Sequence, residues 1–170
     1  MKLLQNLHLD VGCYQRISLL LSAICEAKDR QMGPAGRRLK VHMTSRQYIQ
    51  EHGLIRLQMP RQTGNTTVAC QLYQVLSKYE EVEPLLLITM SSMSRHYETL
   101  HGLPNGSIVS INTRDASSLN KLRGQSHNVI IIDAAEDLWI LDDLLKIEEG
   151  NIHKYLFFCI VILGNPTITA

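Results

Sequence analysis

The chain has 170 residues, 45% of them apolar, enough to bury one sizeable core. Its 17 Lys and Arg stand against 16 Asp and Glu, a formal net charge of +1. That balance gives no global pull toward nucleic acid or membrane, so any basic surface must be local.

The start, Met1 to Asp10, carries one lysine and no long apolar region, so no secretory leader is expected. Ile17, Leu20, Leu21 and Ile24 recur at helical spacing and predict an amphipathic helix near residues 13 to 29. Lys28 to Lys40, "KDRQMGPAGRRLK", is rich in glycine and cations and reads as a solvated loop, with phosphate-backbone contact as the functional alternative. Thr44 and Gln47 fit a capping box for a short helix that Gly53 ends. The chain divides on this reading into an N-terminal helix and basic loop, 1–43, and a core, 44–170, within one compact domain.

Leu54 to Met59 reads as a short strand. After a loop, Val68, Leu72, Val75, Leu76 and Tyr79 form a helical stripe, and Pro84 precedes a buried strand, Leu85 to Thr89. Ser91 or Ser92 can cap a helix carrying Met93, Tyr97 and Leu100 on one face, broken by Gly102, Pro104 and Gly106. Ile108 to Ile111 is a further short strand. "NVIIID", Asn128 to Asp133, is a continuous apolar run ending in an acid, the pattern of a central parallel strand. Leu138, Leu141, Leu144 and Leu145 mark a helix that Gly150 would end, and Tyr155 to Leu163 is a last buried strand. The run Leu156 to Leu163 is too short to cross a bilayer, so no membrane partner is expected. Strands alternate with helices throughout, which predicts an α/β fold with a mainly parallel sheet flanked by helices.

The four cysteines, Cys13, Cys25, Cys70 and Cys159, have no close pair and read as reduced, mostly buried thiols of an intracellular protein. The seven histidines are dispersed; His96 and His101, five apart, do not share a helical face. The acids Glu136, Asp137, Asp142, Asp143, Glu148 and Glu149 read as a solvated helix face, with a basic partner as the alternative.

The loop Met59 to Thr67, "MPRQTGNTT", sits between a strand and a helix opening with hydroxyl residues, the context a phosphate-binding loop needs. There the backbone N–H groups and the helix dipole face an anion. Against the pattern G-x-x-x-x-G-K-[ST], only Gly64 and Thr66 match; Met59 replaces the first glycine and Asn65 the lysine. Thr66 is placed to bind Mg²⁺ through its hydroxyl. Asp133 ends an apolar strand 67 positions later, and a parallel sheet delivers such an acid to the same edge. An ordinary strand-to-helix turn and a helix-capping Asp are the bland alternatives.

"PRQTGNTT", then "LRGQSHNVIIIDAAEDL" (122–138), then "VILGNPT" (161–167) resemble the ATPase domain of the large terminase subunit, the viral DNA-packaging motor. The resemblance spans roughly residues 44 to 167, and superfamily helicases share much of it. It implies a P-loop fold with ATP and Mg²⁺ as cofactors. Double-stranded DNA or a packaging or helicase assembly would be the partner, with a homo-oligomer in a virus-associated or host-cytoplasmic setting. Arg61, Gln62, Thr63, Gly64, Asn65, Thr66 and Thr67 fall on the phosphate loop, and Thr66 and Asp133 on the metal site. Asn165 to Thr167 fall near the motif that couples ATP state to DNA movement. Two departures weaken turnover. The loop lysine is Asn65, for which the Arg61 guanidinium is the substitute, and the glutamate expected after the acid is Ala134, leaving Glu136 as the nearest acid to orient water. The family's nuclease domain and further sheet strands have no counterpart, so the chain reads as truncated at its C-terminus. The implied function is weak ATP binding with impaired hydrolysis in DNA packaging or DNA transactions. The rival reading is a non-enzymatic interaction or regulatory protein that keeps only the scaffold.

Overall fold

Five parallel strands form one sheet in the order β1-β5-β4-β2-β3 in a computed structural model describing residues 11–58, 64–89, 93–134 and 141–164. The strands are β1 (Leu54–Leu57), β2 (Pro84–Ile88), β3 (Ile108–Ser110), β4 (Val129–Asp133) and β5 (Cys159–Leu163). The helices are α1 (Val11–Met32), α2 (Pro34–His42), α3 (Ser45–His52), α4 (Asn65–Leu76), α5 (Ser94–His101) and α6 (Leu141–Lys154), with a 3₁₀ helix at Ala116–Leu122. No described helix is long and apolar enough to cross a membrane.

β4 and β5, "VIIID" and "CIVIL", are buried along their whole length. Both faces of the sheet are covered, so these central strands need apolar side chains on both sides. The period of two sorts them. Val129, Ile131, Leu86, Ile88, Cys159, Val161 and Leu163 pack in one core with α1 and α4. Ile130, Ile132, Leu85, Leu87, Ile160 and Ile162 pack in the other with α3, α6 and the 3₁₀ helix. The chain runs outward from β1 to β3 over the α4 face and returns to β5 over the α6 face. The four crossovers therefore share one hand, as parallel units require. Cys13, Ile17, Leu20, Ile24 and Ala27 of α1 belong to the first core, so the N-terminal helix packs on the same sheet as the rest.

The capping box of α3 is present: Gln47 N–H donates to Thr44 Oγ1, the Gln47 side chain accepts from the Thr44 N–H, and Gly53 is the C-cap. Elsewhere the structure corrects the sequence reading. Residues 28–40 are helical, not a loop. Gly33 and Pro34 are the N-cap and first position of α2, where proline's missing N–H costs nothing. Gly36 lies so close to the end of α1 that a Cβ there would sit 2.1 Å from the Arg30 carbonyl oxygen. Several cations of the segment are engaged: Lys28 pairs with Glu81, Lys40 Nζ donates to the Tyr155 carbonyl at 2.7 Å, and Arg37 Nε to the Met32 carbonyl at 2.8 Å. Gly150 lies inside α6, which continues to Lys154 because Ile152 is still buried. The N-cap of α5 is Met93; Ser91 and Ser92 lie outside the described residues. Leu100 is exposed, and the buried residue of α5 is Glu98, whose Oε1 accepts from Ile108 N at 2.9 Å. Three of the four free thiols are buried; Cys25 is exposed.

The acidic helix is no uniform solvated face. Glu148 is fully buried against His127, Asp142 pairs with Arg46 at 3.1 Å, and Asp143 with Lys146 at 3.3 Å. Glu136 and Asp137 lie outside the described residues.

Candidate functional site

The carboxyl edge of the sheet is stitched across all five strands by hydrogen bonds one step beyond the ladders. Gly164 N donates to Leu57 O (3.2 Å), Ala134 N to Leu163 O (3.0 Å), Thr89 N to Asp133 O (3.4 Å) and Ile111 N to Ile88 O (2.9 Å). Functional side chains mounted here stand on a fixed rim.

β1 and β4 are not neighbours, because β5 lies between them. Two strand spacings separate their ends by about 9–10 Å. Helix α4 closes that gap by packing over β4 and β2. Asp133 has the same parity as Val129 and Ile131, which places its side chain on the α4 face. Thr66, in the first turn of α4, donates its hydroxyl to Asp133 Oδ2 at 2.5 Å. The two residues assigned to the metal thus meet, across an intervening strand and 67 positions of sequence.

Gly64 is the N-cap of α4 with φ +79°, a left-handed conformation that a side chain would strain. It has no side chain to cap the helix, so the first-turn amides find no side-chain acceptor on the N-cap residue, whose carbonyl accepts from Val68 N at 3.0 Å. Asn65 and Thr67 flank Thr66 in that turn, both half-buried. Arg61, Gln62, Thr63 and Glu136 lie outside the described residues, as do Asn165 to Thr167.

Asp133 is only 7% exposed. Burial pushes its carboxyl above the ordinary range, and the Thr66 hydroxyl partly offsets that by stabilising the charged form. The thiol of Cys70, one turn after Thr66, is pushed up to about 12 by burial and by the charge of Asp133. It is therefore no nucleophile at neutral pH.

Ala134 turns the other way. It is buried in the α6-side core. Gly164 passes so close that a Cβ on it would lie 2.4 Å from the Ala134 carbonyl oxygen and 3.8 Å from Asn65 Nδ2. The ends of β4 and β5 and the start of α4 converge there, and the methyl of Ala134 offers no proton acceptor. Sequence reasoning placed Cys70 among the buried thiols and Thr89 at a strand end, and connected neither them nor Gly164 with the loop. Thr89 carried a signal, the first hydroxyl after the "LLLI" strand; Gly164 carried one only through the close approach that folding creates.

Among the described residues no three His, Cys, Asp or Glu side chains gather as a metal centre. Thr66 and Asp133 offer two hard oxygens, donors that suit Mg²⁺, which keeps several waters and takes one or two carboxylates. No protein-family model matches the chain, and no curated protein matches it.

Proposed function

We propose that this carboxyl-edge site binds the phosphates of ATP with Mg²⁺, in a terminase-like P-loop protein whose hydrolysis is impaired and whose work lies in DNA packaging or other DNA transactions. The observation that carries the reading is the Thr66–Asp133 hydrogen bond at the N-terminus of α4. A hydroxyl and an acid meet where a helix N-terminus favours negative charge. The loop cation would come from Arg61, and the first-turn amides of α4 would face the phosphates. When bound, Mg²⁺ would neutralise phosphate charge, and Thr66 and Asp133 would hold it, Asp133 directly or through water.

Ala134 favours binding without turnover as the second reading. Its methyl cannot orient an attacking water, and its side chain packs into the opposite core. The protein would then use ATP as a switching ligand, or keep the scaffold as an interaction module.

A titration with a fluorescent ATP analogue, with and without Mg²⁺, tests the proposal. Saturable Mg²⁺-dependent binding that Asp133→Ala weakens is the expected outcome. Binding to neither wild type nor an Asn65→Lys variant rejects the nucleotide site and leaves the interaction module. Phosphate release abolished by both Asp133→Ala and Glu136→Gln, with or without double-stranded DNA, would instead make this a working ATPase.

A further inference from the structure

Where α2 meets the end of α6, four cations find only neutral partners or none. Elsewhere Lys28, Arg46 and Lys146 pair with Glu81, Asp142 and Asp143. Helix α2 carries Arg37, Arg38 and Lys40 and no acid. Arg37 Nε donates to the Met32 carbonyl at 2.8 Å, and Lys40 Nζ to the Tyr155 carbonyl at 2.7 Å. Arg38 is exposed, with no side-chain partner among the described residues. On the other side of Tyr155, Lys154 Nζ lies 4.9 Å from the ring centroid and donates to Ser126 Oγ at 2.8 Å. Tyr155 thus joins the two helices into one cationic surface. Burial lowers the pKa of the Lys40 ammonium, and no carboxylate opposes that shift. The face is open: of the residues of α2 only Gly36 is buried.

We propose that α2 and the end of α6 dock on the phosphate backbone of double-stranded DNA without reading its sequence. The proposal deepens the function given above, on which the choice of DNA rests; the need for a polyanion rests on the cations. Arg and Lys side chains whose partners are neutral can take up phosphate oxygens without breaking an ion pair. Arg37 and Lys40 lie three apart on α2, so one helix edge offers successive charges about 5–6 Å apart at Cβ. A single strand fits less well, because its bases need open aromatic faces to stack on, and the Tyr155 ring already carries Lys154.

Two acids border the surface and oppose an anion. Glu83 accepts from the Tyr155 hydroxyl at 2.5 Å, and Asp29 of α1 is followed by the exposed Arg30. Neither pairs with Arg37, Arg38, Lys40 or Lys154 among the described residues, so the cations outnumber them and stay available.

The test is fluorescence anisotropy of a labelled double-stranded DNA of arbitrary sequence, titrated with the full chain at several salt concentrations. Affinity should fall steeply with salt. Arg37→Ala and Arg38→Ala together should weaken binding about tenfold or more and reduce the log–log salt slope by about 2, and Lys154→Ala should reduce it by about 1. Lys146→Ala removes the same charge from a residue paired with Asp143, and should leave the slope unchanged. Asp133→Asn should keep DNA binding whatever it does to nucleotide binding, so failure of the nucleotide site and failure of this surface read out separately. Absence of salt-dependent binding overturns the proposal. So do equal losses in Lys146→Ala and Lys154→Ala, which would report net charge alone, and loss of DNA binding in folded Asp133→Asn. Capture by phosphatidylserine vesicles but not by DNA overturns it as well. Unchanged circular dichroism confirms that each variant is folded.

Discussion

Two buried carboxylates flank β4, and they are compensated in opposite ways. Glu148 stands near the amino end of the strand, fully buried. His127 Nε2 lies 2.7 Å from its Oε2, and Asn151 Nδ2 donates to the same oxygen at 2.8 Å. The histidine approaches within ion-pair distance, carrying charge only when protonated, without an aligned hydrogen bond, and Oε1 has no partner among the described residues. Asp133 stands at the carboxyl end, nearly as buried, and its side chain meets a neutral hydroxyl. A carboxylate facing a group able to carry positive charge holds a helix to a sheet. One left with a hydroxyl under a helix N-terminus is suited to a ligand that brings its own cation. Burial alone does not distinguish a structural acid from a site acid; the partner does.

The largest effect expected from breaking this contrast is at the Glu148 end. His127→Ala leaves a fully buried carboxylate with only an amide donor. Removing one member of a buried pair costs about 3–5 kcal/mol, and chemical denaturation should show that loss. Nucleotide binding, measured at a temperature where the variant is folded, should be unchanged, because the two acids sit at opposite ends of the strand. Next comes the missing charge at the other end. Asn65→Lys places a cation in the first turn of α4, and a charge-assisted hydrogen bond to phosphate is worth about 1.5–3 kcal/mol. Affinity for an ATP analogue should rise roughly ten- to hundredfold by calorimetry. An unchanged affinity would mean that the α4 amides do not address phosphate.

The Asp133 end also carries a pH signature. Its folded-state pKa is raised above 3.8 by burial, with the Thr66 hydrogen bond opposing that shift. Between the unfolded and the folded pKa, the native state holds the proton more tightly, so stability falls as pH rises through that window. Asp133→Asn removes the penalty. The variant should melt at a higher temperature than the wild type at neutral pH, and the difference should shrink in acid as the wild-type carboxyl becomes protonated. Equal melting temperatures at neutral pH would mean that the carboxylate is better solvated than its burial implies.

What the sequence could reveal of this arrangement followed from local pattern. The apolar runs of β2, β4 and β5 were visible because strands covered on both faces need apolar residues at every position. The meeting of Thr66 with Asp133 was legible because strand-loop-helix order fixes which sheet edge receives the loop. What stayed hidden depended on partners distant in sequence. Glu148 lies among acids on a helix that looks solvated, and only the fold brings His127 to it. Gly33, Pro34 and Gly36 signal a break when taken singly. In place, the first two start a helix and the third lets α2 approach α1.

Gly150 offers the smallest and cleanest test of the Glu148 end. Sequence rules make it a helix terminator, yet it lies inside α6, two residues after Glu148. An added Cβ would meet nothing within 4 Å, and the residue's φ is not in the left-handed region. Alanine is therefore free of steric cost, and glycine's excess unfolded-state entropy is removed. Gly150→Ala should stabilise the protein by about 1 kcal/mol, the usual helix-interior difference. The glycine at the Asp133 end responds in the opposite sense: Gly164 has φ +116°, and its Cβ would lie 2.4 Å from the Ala134 carbonyl oxygen. If α6 is held by the buried Glu148 contacts and not by its own propensity, the gain from Gly150→Ala should add to the loss from His127→Ala in the double variant. An interaction energy between the two above roughly 0.5 kcal/mol would show instead that helix stiffness and the buried contact share one cooperative unit.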